Sequence, residues 1–377
     1  MENLMAKAEK SINEGELRQF NYLFSLGLFA VGVDLASTVI QVCYYDPKSK
    51  QIKNRQLKRD EFYEFIKAPE FGPMQLCIEA CGSCNYWSRE FVKYGHSAKV
   101  VLAKDVKPFI MSSDKNDKLD ARGLFKCCLT ETLGRTVKPK DESQQTILNL
   151  HTVRSLLIKQ LVQTQNSYRA MIYELGGVSK PQSINRLKLS GEEMLAKLQD
   201  ENSDAVDNFN CIKEALTQGL DNTAQRLKVI DGYLHNFAHT NEDCKRLMTI
   251  PGIAEISATA IYAVMGDPDN FENGAQFAAL AGFVPAMVGT GGREYQLSTR
   301  RSANPLLKGM IYICAVSQLA KVAKHDKERK SQLAIKLDHS DAKKKVIVAV
   351  ANRLCKVAWA VTKYKKDYDP TKCGLLF

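Results

Sequence analysis

The chain has 377 residues, 45% hydrophobic and 25% charged, the balance of a soluble globular protein that is too long for one ordinary domain. Its net charge of +11 and pI of about 9.0 point to a polyanionic partner. No apolar run reaches the length of a membrane span, and the hydrophobic stretch Phe20 to Val33 lacks a basic leader, so neither membrane insertion nor export is expected, and a cytoplasmic, nucleoid-associated protein is. The 11 cysteines are odd in number and scattered through apolar contexts such as Cys43, Cys77, Cys314 and Cys355, which suits a reducing compartment. Cys81-Gly82-Ser83-Cys84 stands without a matching second pair, and the six histidines are read as unclustered, so a structural zinc is not expected.

Residues 1–25 read as an amphipathic, poorly anchored helical lead-in. Phe29–Asp34 is a continuous apolar run, hence a buried strand. Thr38–Tyr45 alternates with β-branched residues, the Asp46-Pro47-Lys48-Ser49 stretch turns the chain, and Gln51–Leu57 alternates again as a third strand. A helix is predicted over Arg59–Lys67, a strand over Met74–Glu79, a helix over Tyr86–Tyr94 and a strand over Lys99–Leu102. A helix carrying Asp117 and Asp120 then runs to about Thr130. Three hairpin-linked strands followed by alternating helices and strands predict a mixed sheet covered by helices on both faces, the order of a ribonuclease-H-like α/β domain. Residues 143–175 are helical, with Leu148, Leu150, Val153, Leu156, Leu157, Leu161 and Val162 at three-to-four spacing, and 191–237 are helical again. Two long, narrow stripes predict an antiparallel hairpin or an intersubunit coiled coil. Further on, Leu247–Ile253 leads through a Pro-Gly turn at Pro251 and Gly252 into a small-residue helix ending at Met265, the pattern of a helix-hairpin-helix whose backbone N–H groups could meet a DNA phosphate. Another helix is predicted over Leu306–Lys321, ahead of a lysine-rich tail.

The chemistry lies in four acids. Asp34 and Glu79 each close an apolar strand, where a carboxylate is costly unless it is paired or bound to a metal. Asp117 and Asp120 are three residues apart and so share one helix face. In a ribonuclease-H-like fold these elements converge at one edge of the sheet. Four carboxylates there would repel one another without divalent cations, for which Mg²⁺, as two ions, is the hard-oxygen choice and Mn²⁺ a substitute. Tyr86 and Trp87 are read as core packing rather than base-stacking groups.

These residues carry a resemblance. The Asp34 strand, Glu79-Ala80-Cys81-Gly82 with Tyr86-Trp87, and Lys115-Asn116-Asp117-x-x-Asp120-Ala121 resemble the DEDD catalytic domain of the IS110 insertion-sequence transposases, a family with an IS1111 subgroup and a kinship to the Piv DNA invertases. Ile250-Pro251-Gly252-Ile253, Gly266-Asp267, Phe277-Ala278 and Gly282-Phe283-Val284-Pro285 resemble that family's C-terminal domain. The resemblance implies a lead-in over 1–27, a RuvC-like catalytic domain over 28–140, a coiled-coil linker over 141–243, a mainly α transposase domain over 244–330 and a basic tail over 331–377. It further implies donor and target DNA, a structured noncoding guide RNA, and dimers that form a tetramer in synapsis. Asp34, Glu79, Asp117 and Asp120 would hold the ions. The family uses a serine before a glycine pair as a covalent nucleophile, but this chain has Thr290 there, ahead of Gly291-Gly292. Thr290 serves instead, or Ser298 or Ser302 substitutes, or strand transfer is impaired. Lys115, Arg122, Arg293, Arg300 and Arg301, with the Gly252 turn, would contact nucleic acid. Two alternatives stay open: a RuvC-like nuclease that resolves branched DNA with water, and a non-catalytic RNA- or DNA-binding derivative.

Overall fold

The computed structural model describes residues 12–70, 72–110, 116–130, 137–177, 183–200, 205–290, 293–299, 303–325 and 343–373, with backbone alone over 286–290, 293–299, 322–325, 343 and 372–373. Contacts divide the chain into two compact units. The first is Met1–Gln145 with Gly266–Glu272, and the second is Thr146–Met265 with Asn273–Phe377.

The first unit opens with α1 (Glu14–Ser25), started by a capping box in which the Asn13 side chain accepts from the Glu16 N–H and Glu16 accepts from the Asn13 N–H. The expected loose lead-in is corrected for this helix. Phe20 is 1% exposed and its ring meets Phe29 and Tyr45 edge-on at 5.8 and 5.0 Å, an apolar burial that anchors the helix. Then come β1 (Phe29–Leu35), β2 (Val39–Asp46), β3 (Gln51–Lys58), α2 (Arg59–Lys67), β4 (Met74–Glu79), α3 (Cys84–Lys93), β5 (Ser97–Val101), α4 (Ala103–Val106) and α5 (Asp117–Cys128). The sheet order is β3-β2-β1-β4-β5. β1, β2 and β3 are antiparallel neighbours, whereas β4 and β5 run parallel to β1. This is the mixed five-stranded sheet that the hydropathy pattern predicts.

Side chains alternate across β1, and that alternation separates two helical layers. Gly32 faces α5, whose backbone lies against it. Val31 and Val33 therefore face the other way, and Tyr44, which pairs with Val31, meets Phe65 of α2 at 5.9 Å. On that side Phe62 packs edge-on against Trp87 and Phe91 of α3. Trp87 is 1% exposed, as its reading as core requires, and the Arg59 guanidinium lies 5.1 Å from its ring centroid. Arg89 of α3 donates to the Lys140 carbonyl and to Gln145, each at 2.9 Å, which ties the end of the unit back to its sheet.

The second unit is mostly helical: α6 (Glu142–Glu174), which starts in the first unit, α7 (Ile184–Asp200), α8 (Val206–Thr240), α9 (Glu242–Met248), α10 (Glu255–Met265), α11 (Gly274–Leu280), α12 (Pro305–His325), α13 (Lys343–Tyr364) and α14 (Pro370–Cys373). The region predicted as two long helices contains three. Tyr168 and Ile172 of α6, Leu187, Met194 and Leu198 of α7, and Phe209 and Leu220 of α8 form a local core, while Val153, Leu156, Val162 and Val229 stay exposed. A hairpin of β6 (Pro285–Thr290) and β7 (Arg293–Thr299), which the sequence reading lacked, adds strand to the domain expected to be mainly α. Its β-branched and aromatic content is short and broken by Gly289, so the periodicity was too brief to register. None of the described helices is long and apolar enough to cross a membrane.

Candidate active site

The acid site is built where β1 and α5 meet. The Asn116 side chain caps α5 by accepting from the Lys118 N–H at 3.0 Å. Asp117 and Asp120 then occupy the first turn, where the helix dipole favours negative charge. One to two turns later Gly32 meets the helix. A Cβ on Gly32 would stand 2.2 Å from the Phe125 amide nitrogen and 2.3 Å from the Ala121 carbonyl oxygen, so only glycine lets the two backbones approach this closely. That approach aligns the first turn of α5 with Asp34, two residues past Gly32 on the same strand face. Ligand oxygens of Asp34, Asp117 and Asp120 all lie within 4.8 Å of one another.

Glu79 is not in that set of three. Its strand places it close by: Val33 pairs with Ile78 and Gly32 with Cys77, so Glu79 ends β4 level with Asp34 and on the same face of the sheet. Beside the acids, Lys53, Asn54 and Arg55 of β3 and Asn116, Lys118 and Arg122 of the α5 region line a groove of about 440 Å³. The Asn54 side chain donates to the Lys118 carbonyl at 2.8 Å and is itself bonded by Gln41, fixing the groove floor to the sheet. Lys53 bridges to Asp46 at 2.5 Å and, foremost among several hydrogen bonds, holds that carboxyl well below the usual range. Lys53 and Arg55 pair through β2 with Val31 and Val33 and so lie on the face of the sheet away from Asp34. Lys118 and Arg122 are the groove cations on the α5 side, where three acids beside them can hold a hard cation and an anionic backbone together.

The other expected residues are distributed as follows. Arg122 lines the groove. Thr290 ends β6 and pairs with Arg293, which opens β7, while Ser298 lies on β7; their side chains lie outside the described residues, as do Lys115, Arg300, Arg301 and Ser302 altogether. Gly252 has a positive φ of 90°, and a Cβ there would lie 2.9 Å from the Cys314 carbonyl oxygen of α12. Gln318 of α12 donates to the Pro251 carbonyl at 3.1 Å. The Pro-Gly turn thus has a packing reason for its glycine, independent of any phosphate. In the CxxC stretch Cys84 is buried, and burial pushes its thiol up, the opposite of what a reactive or metal-binding thiol needs.

The reading of unclustered histidines is corrected. His235 and His239 stand one turn apart on α8 and meet Glu255, the first residue of α10. The signal was present in the sequence as His-x3-His, the spacing that brings two imidazoles to one helix face.

A family model described as a transposase, of the IS110 DEDD type, matches residues 31–175, and one described as the IS116/IS110/IS902 transposase family matches residues 244–331. The chain is 27% identical over 344 residues to the transposase for insertion sequence element IS1111A of Coxiella burnetii, covering 91% of each protein. It is 27% identical to a probable family 20 transposase of Pseudomonas aeruginosa, over 92% of this chain and 100% of that one. To the transposase for insertion sequence element IS1328 of Yersinia enterocolitica it is 25% identical, over 88% of this chain and 96% of that one.

Proposed function

The chain belongs to the IS116/IS110/IS902 family of transposases, and from that premise we propose that it cuts and rejoins DNA strands for an insertion sequence. The observation that carries the proposal is the convergence of Asp34, Asp117 and Asp120 where β1 meets the first turn of α5. An all-oxygen, strongly anionic donor set suits Mg²⁺ over softer ions, so these three acids, with Glu79 alongside, would hold it. Bound there, Mg²⁺ would neutralise a scissile phosphate and make its phosphorus more electrophilic.

The chain's own groups do the rest. Lys118 and Arg122 grip backbone phosphates in the groove. The Thr290 hydroxyl, or that of Ser298 or Ser302, attacks phosphorus. A protein–oxygen–phosphorus ester forms as the phosphorus–sugar oxygen bond breaks, the nucleophile gives its proton to solvent, and the sugar oxygen leaves as a hydroxyl. A hydroxyl from the exchanging strand reverses the step. We extend the proposal to a structured noncoding RNA that selects donor and target and to a four-subunit synapse. The high positive charge of the chain supports a polyanion of this kind.

The test is recombination of donor and target DNA by purified chain, RNA and Mg²⁺. Asp34→Ala and Asp120→Asn should abolish product while leaving the circular dichroism unchanged; undiminished product from Asp34→Ala would refute the acid assignment. A denaturation-resistant protein–DNA adduct should vanish in Thr290→Val. An adduct that survives moves the nucleophile to Ser298 or Ser302. Cleavage with no adduct in the parent favours attack by water, as in a branched-DNA nuclease.

A further inference from the structure

The histidine pair on α8 carries an inference separate from the acid site. His235 and His239 are four residues apart, and their ring centroids lie 4.6 Å apart. His235 Nδ1 is 3.6 Å and His239 Nε2 is 3.4 Å from the same Glu255 oxygen, Oε1. A charge-assisted N–H···O bond would be about 2.7–2.9 Å. Two ligands on one tetrahedral zinc, each about 2.0–2.2 Å from the metal, lie about 3.4 Å from each other. The observed separations therefore match shared coordination better than direct pairing.

The scaffold behind these groups is closely packed. Leu234 and Ala238, each next to one of the histidines in sequence, are 0% exposed, and Phe237 meets Tyr262 of α10 at 5.6 Å. Glu255 is fixed at the start of α10, where its carbonyl accepts from Thr259, itself bonded to the buried His151 at 3.0 Å. Asp231, one turn before His235, is held by Arg154 at 2.6 Å and so is not counted as a ligand. The two imidazoles are about half exposed, at 57% and 52%, which leaves a fourth position open to water.

We propose that His235, His239 and Glu255 form a site for a borderline-soft divalent ion, Zn²⁺ by its ligand preferences, which staples the end of α8 to the start of α10. Two imidazoles and one carboxylate select against Mg²⁺, so this site and the acid site take different metals from one solution.

The test is calorimetric titration of the full chain with Zn²⁺ in excess Mg²⁺. The parent, Asp34→Ala, and Cys81→Ser with Cys84→Ser should each take up zinc at one common site. His239→Ala should weaken that uptake by about tenfold or more, and His235→Ala with His239→Ala should abolish it. All these histidine changes are at exposed positions, and the circular dichroism of the variants reports that they fold. The Co²⁺-substituted parent should show tetrahedral bands without thiolate charge transfer. Uptake unchanged in the double histidine variant, uptake lost with the cysteines instead, or a parent that takes up none would each overturn the site. Because Asp34→Ala serves as a positive control, failure here is distinct from failure of the acid assignment.

Discussion

Replacing Gly32 with alanine adds a single carbon at the point where β1 touches α5. That carbon would lie 2.2 Å from the Phe125 nitrogen and 2.3 Å from the Ala121 oxygen, where ordinary contact begins at 3.4 Å. Both neighbours are helix backbone, so no side-chain rotation relieves the overlap, and α5 has to move outward by about 1.2 Å. Overpacking of this kind costs about 1–3 kcal/mol, and the backbone clash puts Gly32→Ala at the upper end. The same movement carries Asp117 and Asp120 away from Asp34, and a displacement of about 1 Å at a reacting centre costs about 100-fold in rate. Denaturant unfolding and Mg²⁺-dependent strand cleavage measure the two effects. Gly219→Ala supplies the control, since a Cβ there meets nothing within 4 Å among the described residues in the middle of α8, and it should stabilise by about 0.5–1 kcal/mol. A Gly32→Ala chain with parental stability and cleavage would refute the claim that glycine at this contact sets the acid geometry.

His151 is fully buried, its Nδ1 has no partner among the described residues, and burial, aided by Arg154, lowers its pKa to about 4. Because the folded value lies below the unfolded one, the unfolded chain takes up the proton first as pH falls. Stability should therefore be full above about 6.5 and be lost progressively down to about 4, by up to about 3 kcal/mol; His151→Leu should flatten that slope in denaturant titrations run from pH 7 to pH 4. Arg122→Ala should weaken DNA binding alike across sequences and reduce the slope of log affinity against log salt by about 1, measured by fluorescence anisotropy. Trp87→Ala, which empties the ring cluster between α2 and α3, should cost about 3–5 kcal/mol in unfolding free energy.

The five strands of the first unit and the helices Arg59–Lys67, Cys84–Lys93 and Asp117–Cys128 were legible in order, while the short helix Ala103–Val106 was not. The helix predicted over Arg59–Lys67 and the strand predicted over Met74–Glu79 have those bounds in the structure, because period, turn residues and caps are local properties. The hairpin that carries Thr290 was not legible, nor was the break between α7 and α8 within what read as one polar helical stretch, since propensity there is weak and tertiary packing decides. The site divides in the same way. Sequence alone determined which carboxylates close buried strands and which pair shares a helix face, and it already contained the His235-x3-His239 spacing. Only the tertiary structure decided that Asp34 meets Asp117 and Asp120 with Glu79 standing one strand away, and that the two histidines face Glu255. Residue patterns encode which face of an element is buried. What stands opposite that face depends on how closely two backbones can approach, and at Gly32 the absence of a single carbon sets that distance.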